Sequence, residues 1–116
     1  MSKVIKEKSF SFALRIIKLN KYLVSECKEY VLSKQVLRSG TAIGALVRES
    51  EHAESKSDFI HKLSIALKEA NETDYWLSLL KESDFIKSKV YKSINTDNLE
   101  LIKLLVRIIK TSKDNK

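Results

Sequence analysis

The sequence has no proline and only two glycines in 116 residues. Tight turns draw on those two residue types, so a fold of many short strands joined by hairpins is excluded and long uninterrupted helices are favoured. A single cysteine, Cys27, rules out an internal disulfide and suits a reducing cytoplasm; lying among apolar neighbours, it reads as a small buried side chain. No stretch of 18 apolar residues occurs, and the first eight residues alternate charge with isolated apolar positions, so neither a membrane span nor a signal peptide is expected. A glycine-rich phosphate loop, zinc-finger spacing and a Ser-His-Asp arrangement are all missing, and the two histidines flank a loop or lie on a polar face. These absences point to a cytoplasmic protein that is not an enzyme and uses no cofactor.

What the chain does have is charge and helical periodicity. Charged residues make up 32% of it, hydrophobic residues 43%, and the formal net charge is +7, with the excess of base at the two ends and an acidic balance over residues 54–83. The length sustains one hydrophobic core, so a single domain over residues 1–116 is expected.

Apolar residues recur at helical spacing in four segments, which predicts an all-α, up-down-up-down four-helix bundle with helices over about 9–28, 31–53, 57–82 and 88–113. The first carries Phe12, Ile16, Leu19, Leu23 and Cys27, with Ser9 as its expected N-cap. The second carries Leu32, Val36, Ile43, Val47 and Ser50, with Gly40 and Gly44 beside that stripe. Ser55-x-x-Asp58 has the capping-box pattern, with Asp in place of the usual Glu, ahead of Phe59, Leu63, Ala66, Ala70 and Leu77. The fourth rests on Leu101, Leu105 and Ile108; it starts at Ser88 or at Thr96, because Asn95-Thr96-Asp97 reads equally as a cap or an exposed turn.

The apolar positions of the fourth helix, from Leu99 to Ile109, cover roughly 220° of its circumference and those of the first roughly 160°, against about 100° for an ordinary surface helix. So much apolar surface predicts burial against other subunits, hence a homo-oligomer.

Two stretches make the sequence recognisable. Gln35-Val36-Leu37-Arg38-Ser39-Gly40-Thr41-Ala42-Ile43-Gly44-Ala45 with Glu49 is one. The other is Ser57-x-Phe59-Ile60-x-Lys62-Leu63-x-Ile65-Ala66-x-Lys68-Glu69-Ala70-x-Glu72-Thr73-x-Tyr75-Trp76-Leu77, and Ser9-Phe10-x-Phe12-Ala13 opens the first helix in keeping with both. Together they resemble the four-helix-bundle 23S rRNA intervening-sequence proteins over essentially the whole chain. Ala42, Leu46 and Ser50 depart from that pattern, which often has Ser, Asn and Ala there. The family resembles in fold the accessory variability determinant protein of diversity-generating retroelements, a basic pentameric barrel that works with a reverse transcriptase and contacts nucleic acid. The resemblance therefore implies a homopentamer and nucleic-acid binding.

Four constellations remain to be weighed. Gly40-x-x-x-Gly44 allows close helix packing, and its alternative is a C-cap at Gly40, against which the apolar period continues through Val47. Arg38 and Glu49 share a side of the second helix and Glu69 and Glu72 a side of the third, with Ile65, Trp76 and Leu79 nearby, so the four charges suit a structural network. Glu49-x-x-His52 has the spacing of di-iron bundles, but that design needs a second Glu-x-x-His helix and His61 has no Glu three residues before it, so no metal site is expected. Finally, Lys8, Arg15, Lys18, Lys21 and Lys28 lie on the polar side of the first helix and Lys103, Arg107 and Lys110 on that of the fourth. Neighbouring in a bundle, these rows would merge into one surface for RNA or DNA phosphates, or serve simply as a solvated face. No aromatics interleave with them, so base stacking is not supported. The alternative reading is a scaffold whose basic face docks an acidic protein or a polymerase-like enzyme.

Overall fold

The computed structural model describes residues 3–115, all of them in helices or the links between them; no strand occurs among the described residues. Helix α1 spans Lys3–Ser25, α2 Leu32–Ser50, α3 Lys56–Glu82 and α4 Ser88–Asp114. Contacts run around the ring α1–α2–α3–α4–α1, with the α1–α4 seam the sparsest. Pairing fixes the directions: Ser9 meets Gly44 and Asn20 meets Ser33, Ser39 meets Thr73 and Glu49 meets Lys62, Ala70 meets Asn98 and Ser78 meets Tyr91, and Lys8 meets Glu100 and Arg15 meets Asp97. Every neighbouring pair is therefore antiparallel, the up-down-up-down order, in a body of 49 × 21 × 19 Å.

The core is a column of Ile5, Phe12, Ile16, Leu19 and Leu23 from α1, Val36, Ile43 and Val47 from α2, Leu63, Ala66, Ala70, Leu77 and Leu80 from α3, and Ile94, Leu101, Leu105 and Ile109 from α4. Small residues decide how close the helices lie. A Cβ added to Gly40 would stand 2.7 Å from Ile16 Cγ1 and 2.9 Å from its Cγ2, and one on Gly44 would stand 3.3 Å from the Ser9 carbonyl oxygen. Gly40 lies inside α2 and is not its C-cap.

Ser9 is not the N-cap of α1. It is buried seven residues into the helix, its hydroxyl donating to the Lys6 carbonyl at 3.2 Å, because Ile5 extends the buried stripe toward the N-terminus and packing there outweighs the capping preference of serine. At the other end α1 stops at Ser25 rather than Lys28; Lys28 takes a left-handed conformation (φ 54°), the Glu29 N–H reaches back to the Leu23 carbonyl at 3.0 Å, and Cys27 is half-buried outside the helix.

Glu29 then caps α2 from outside it. Its carboxylate accepts from the N–H groups of Val31 (3.2 Å), Leu32 (3.0 Å) and Ser33 (2.7 Å), and the Ser33 hydroxyl donates to its carbonyl. Desolvation works to raise this carboxyl's pKa, but the N–H bonds from Leu32, Ser33 and Val31 outweigh it and hold the value below the ordinary one. α2 ends at Ser50, and Glu51–His52 form a turn. At α3 the Ser55 hydroxyl accepts from the Asp58 N–H at 3.0 Å, while the Asp58 carboxylate reaches the Glu54 N–H and not that of Ser55. The α3–α4 link is a Schellman turn: Phe85 N–H to Leu80 O at 2.9 Å and Asp84 N–H to Lys81 O at 3.1 Å, with Asp84 at φ 66°. α4 begins at Ser88, so Asn95-Thr96-Asp97 is neither cap nor turn; Asn95 and Asn98 face inward.

Two outcomes are expected. Gly40→Ala should gain about 1 kcal/mol of helix propensity but lose more to overpacking against Ile16, for a net cost of about 1–2 kcal/mol and a fall in Tm of about 4–8 °C. In an Ile16→Ala background the same change should be stabilising, and an unchanged Tm in the wild-type background would refute the close approach. For Glu29, whose folded-state pKa is depressed, the stabilisation is fully present above the ordinary carboxylate value and is lost as pH falls through the folded value. The stability gap between wild type and Glu29→Gln, of about 1 kcal/mol at neutral pH, should therefore close in acid, as read by denaturant titrations across pH.

Candidate functional site

The basic rows of α1 and α4 sit on adjacent helices, but the antiparallel register staggers them. Lys8 and Arg15 face the seam. Lys8 Nζ pairs with Glu100 at 2.9 Å, and that hydrogen bond, followed by the Glu100 charge, holds the Lys8 ammonium above its ordinary pKa. Arg15 pairs with Asp97 at 2.7 Å and donates to the Ser93 carbonyl (3.1 Å) and hydroxyl (2.9 Å). With Arg15 opposite residues 93–97 and Lys8 opposite Glu100, the Lys103–Lys110 row lies alongside the first residues of α1, whereas Lys18 and Lys21 lie near its other end. The expected single merged patch is thus divided by a neutralised seam. Lys21 is a further departure: it lies in line with Leu14, Ile17 and Val24, at spacings of seven, four and three, on the flank turned away from α4. Lys28 is exposed, but beyond the helix.

Along α4 the structure extends the row. Lys89 and Lys92 stand in register with Lys103, Arg107 and Lys110 on the face opposite the buried Leu101 and Leu105, and all five are exposed. None of the five is in an ion pair among the described residues. At 1.5 Å per residue the row runs about 32 Å. Reading the sequence left Lys89 and Lys92 out because the start of α4 stood open between Ser88 and Thr96; carrying the 3.6-residue period back from Lys103 is the signal that finds them.

The acidic positions form two groups rather than one network. Arg38 Nη1 reaches both carboxylate oxygens of Glu69, at 3.2 and 3.3 Å, and its Nη2 bonds Glu72, which also accepts from Trp76 Nε1 at 2.8 Å. Glu49 stands apart from these, about three turns along α2 from Arg38, and pairs instead with Lys62 at 3.2 Å. His52 and His61 are both exposed, and no cluster of three or more His, Cys, Asp or Glu that would hold a metal ion occurs among the described residues.

The apolar surface also falls elsewhere than its arcs indicate. α4 lies between α1 and α3, and both flanks absorb it: Ile102, Leu104 and Ile108 pack partly buried against the core, leaving Leu99 and Val106 exposed. On α1, by contrast, Phe10 (51% exposed), Leu14 (53%), Ile17 and Val24 form one uncovered stripe, with the Arg48 guanidinium 5.3 Å above the Phe10 ring. No helix is long and apolar enough to cross a membrane among the described residues.

Residues 2–107 match the family described as 23S rRNA-intervening sequence protein. The chain belongs to that family. It is also similar to a crystal structure of a protein of unknown function from the S23 ribosomal protein family of Bacteroides thetaiotaomicron, with 59% identity and a TM-score of 0.91 over 91% of this chain and 98% of that one. No curated protein matches the chain. In this member of the 23S rRNA-intervening sequence proteins, the recognisable stretches of α2 and α3 carry the glycine contacts and the Arg38–Glu69–Glu72–Trp76 cluster. The lysine row lies outside those stretches, on α4.

Proposed function

We propose that this protein is a non-enzymatic homo-oligomer that binds RNA or DNA through the phosphate backbone, using the outer row of α4. The observation that carries the reading is five exposed cations, Lys89, Lys92, Lys103, Arg107 and Lys110, along one 27-residue helix, none of them in an ion pair among the described residues. Their span of about 32 Å is close to one turn of B-form DNA, about 34 Å. The row has no aromatic side chain in it, so it offers phosphate contacts and no base readout, which makes binding tolerant of sequence. Lys18, at the far end of α1, adds to the same electrostatic field; Lys8 and Arg15, held by Glu100 and Asp97, contribute less.

Oligomerisation is supported by the uncovered Phe10–Leu14–Ile17–Val24 stripe, since an exposed apolar patch of this kind marks a contact surface. The family resemblance supports five as the subunit number.

Two measurements test the two halves of the reading. Changing Lys103, Arg107 and Lys110 together to Ala should weaken binding to duplex DNA and make the log–log salt slope shallower by about 2.7, since each phosphate contact contributes about 0.9. A wild-type protein that binds neither duplex, single strand nor structured RNA at low salt would end the proposal. Light scattering should give a mass near five times the 13.3 kDa chain, and Leu14→Asp with Ile17→Asp should reduce it to the single-chain value with the helical content retained. A wild-type mass of one chain would remove the oligomer.

A further inference from the structure

At the end of the bundle where α1 leaves and α4 arrives, the sparse α1–α4 seam opens into a groove of about 790 Å³. Its floor is apolar: Leu19, Ile86 and Ile94 close the bottom and are buried, while Tyr22 and Val90 line the sides with roughly half of their surface exposed (47% and 41%). Phe85, half-buried, joins them from the α3–α4 turn. Around this floor stand Arg15, Lys18, Lys81 and Lys87 against one carboxylate, Asp84. Arg15 and Lys81 have carboxylate partners outside the lining, Asp97 and Glu82. Lys18 and Lys87 have none among the described residues, so two uncompensated cations flank exposed apolar surface.

The start of α4 reinforces the same polarity. Lys87 precedes the helix without a side-chain cap bond, and the first turn has no acidic residue, so the positive end of a 27-residue helix faces the region lined by Lys87, Ser88 and Val90. The chain itself shows what such an end accepts: at α2 the Glu29 carboxylate takes three backbone N–H groups. Among the described residues no carboxylate takes the first N–H groups of α4 in this way.

We propose that this groove docks an acidic, apolar peptide segment of a partner protein, with a large apolar side chain against Tyr22, Phe85 and Val90 and flanking carboxylates on Lys18, Lys87 and the first N–H groups of α4. Nucleic acid fits the groove less well. A phosphate backbone has no aliphatic group to bury on Leu19, Val90 and Ile94, whereas an amphipathic segment satisfies the floor and the rim together. The groove is distinct from the outer row of α4, where no apolar floor accompanies the charge.

The probe is a fluorescein-labelled ten-residue peptide with two leucines at i and i+3 among glutamates, compared with the same peptide with serine for leucine and with a ten-nucleotide single strand. Binding to the full-length protein should shift the amide resonances of Tyr22, Phe85 and Val90. Lys87→Glu and Val90→Asp should each weaken it by about tenfold, and Asp84→Asn, which keeps a residue tolerant of the left-handed turn, should tighten it by about twofold. Lys103→Ala, Arg107→Ala and Lys110→Ala should leave peptide binding unchanged, which separates this outcome from that of the nucleic-acid test. Thermal unfolding of each variant controls for folding, and Asp84→Asn reads the proposal independently if the other two variants are destabilised. Absence of peptide binding, equal binding of the serine peptide, or tighter occupation of the same residues by the oligonucleotide would each overturn it.

Discussion

The close approach of α1 to α2 is the constraint on which the rest of the molecule depends. Ile16 lies on Gly40 and the Ser9 carbonyl lies against Gly44, so a pair of missing side chains sets both the separation of the two helices and their register. That register carries Asn20 to the Ser33 carbonyl at one end and Lys6 to Glu51 at the other. It also rotates α1. With one flank pressed against α2, the opposite flank presents Lys8 and Arg15 to Glu100 and Asp97, and what is left of the outer face is the Phe10–Leu14–Ile17–Val24 stripe. A looser α1–α2 contact would change all three surfaces at once.

Polar groups inside the bundle add register where apolar packing alone is permissive. Ser39 and Thr73 meet across α2 and α3 at 2.9 Å. Between α3 and α4 a string runs from Asp74 through the Tyr91 hydroxyl to Asn95 and then Asn98, whose amide also donates to the Ala70 carbonyl at 2.9 Å. The Asn98 Oδ1 has no partner among the described residues although the residue is wholly buried. A leucine there would cost less in desolvation, so the retained amide is better understood as fixing how α4 slides along α3 than as adding stability.

The helices and their inward faces were legible because they rest on periodicity alone: Phe12, Ile16, Leu19 and Leu23, or Leu63, Ala66, Ala70 and Leu77, repeat at a spacing that no other local structure buries on one side. The capping role of Ser55 was legible for a similar reason, since its partner is three residues away. Ser9 misled because its capping preference is weak beside the burial of Ile5, and nothing within the first helix announces that Gly44 waits for a small residue there. Glu29 went unnoticed because it caps from outside α2, and Asn95 and Asn98 because polar residues in a core look like polar residues in a turn until a partner helix is placed. Apolar arcs were the poorest guide. They measure how much of a helix is oily and not which way it faces: α4 turns most of its wide arc inward and leaves Leu99 and Val106 exposed, while α1, with a narrower arc, leaves Phe10, Leu14, Ile17 and Val24 uncovered.

Of the candidate charges, the sequence could give the type but not the pairing, and pairing changes their meaning. Lys8 and Arg15 look identical to Lys103 and Arg107 on a helical wheel, yet Glu100 and Asp97 on the facing helix cancel much of their field, leaving a nearly neutral strip down the seam. Positive potential is thereby displaced to the outer edge of α4, away from the exposed stripe of α1, which lies on the side of that helix turned toward α2. Because these two surfaces do not overlap, an assembly that joins the α1 stripe of one subunit to a face of the next other than its α4 row leaves that row facing solvent in every subunit. Each added subunit would then bring another line of five cations to a polyanion, and avidity rather than any single contact would set the affinity.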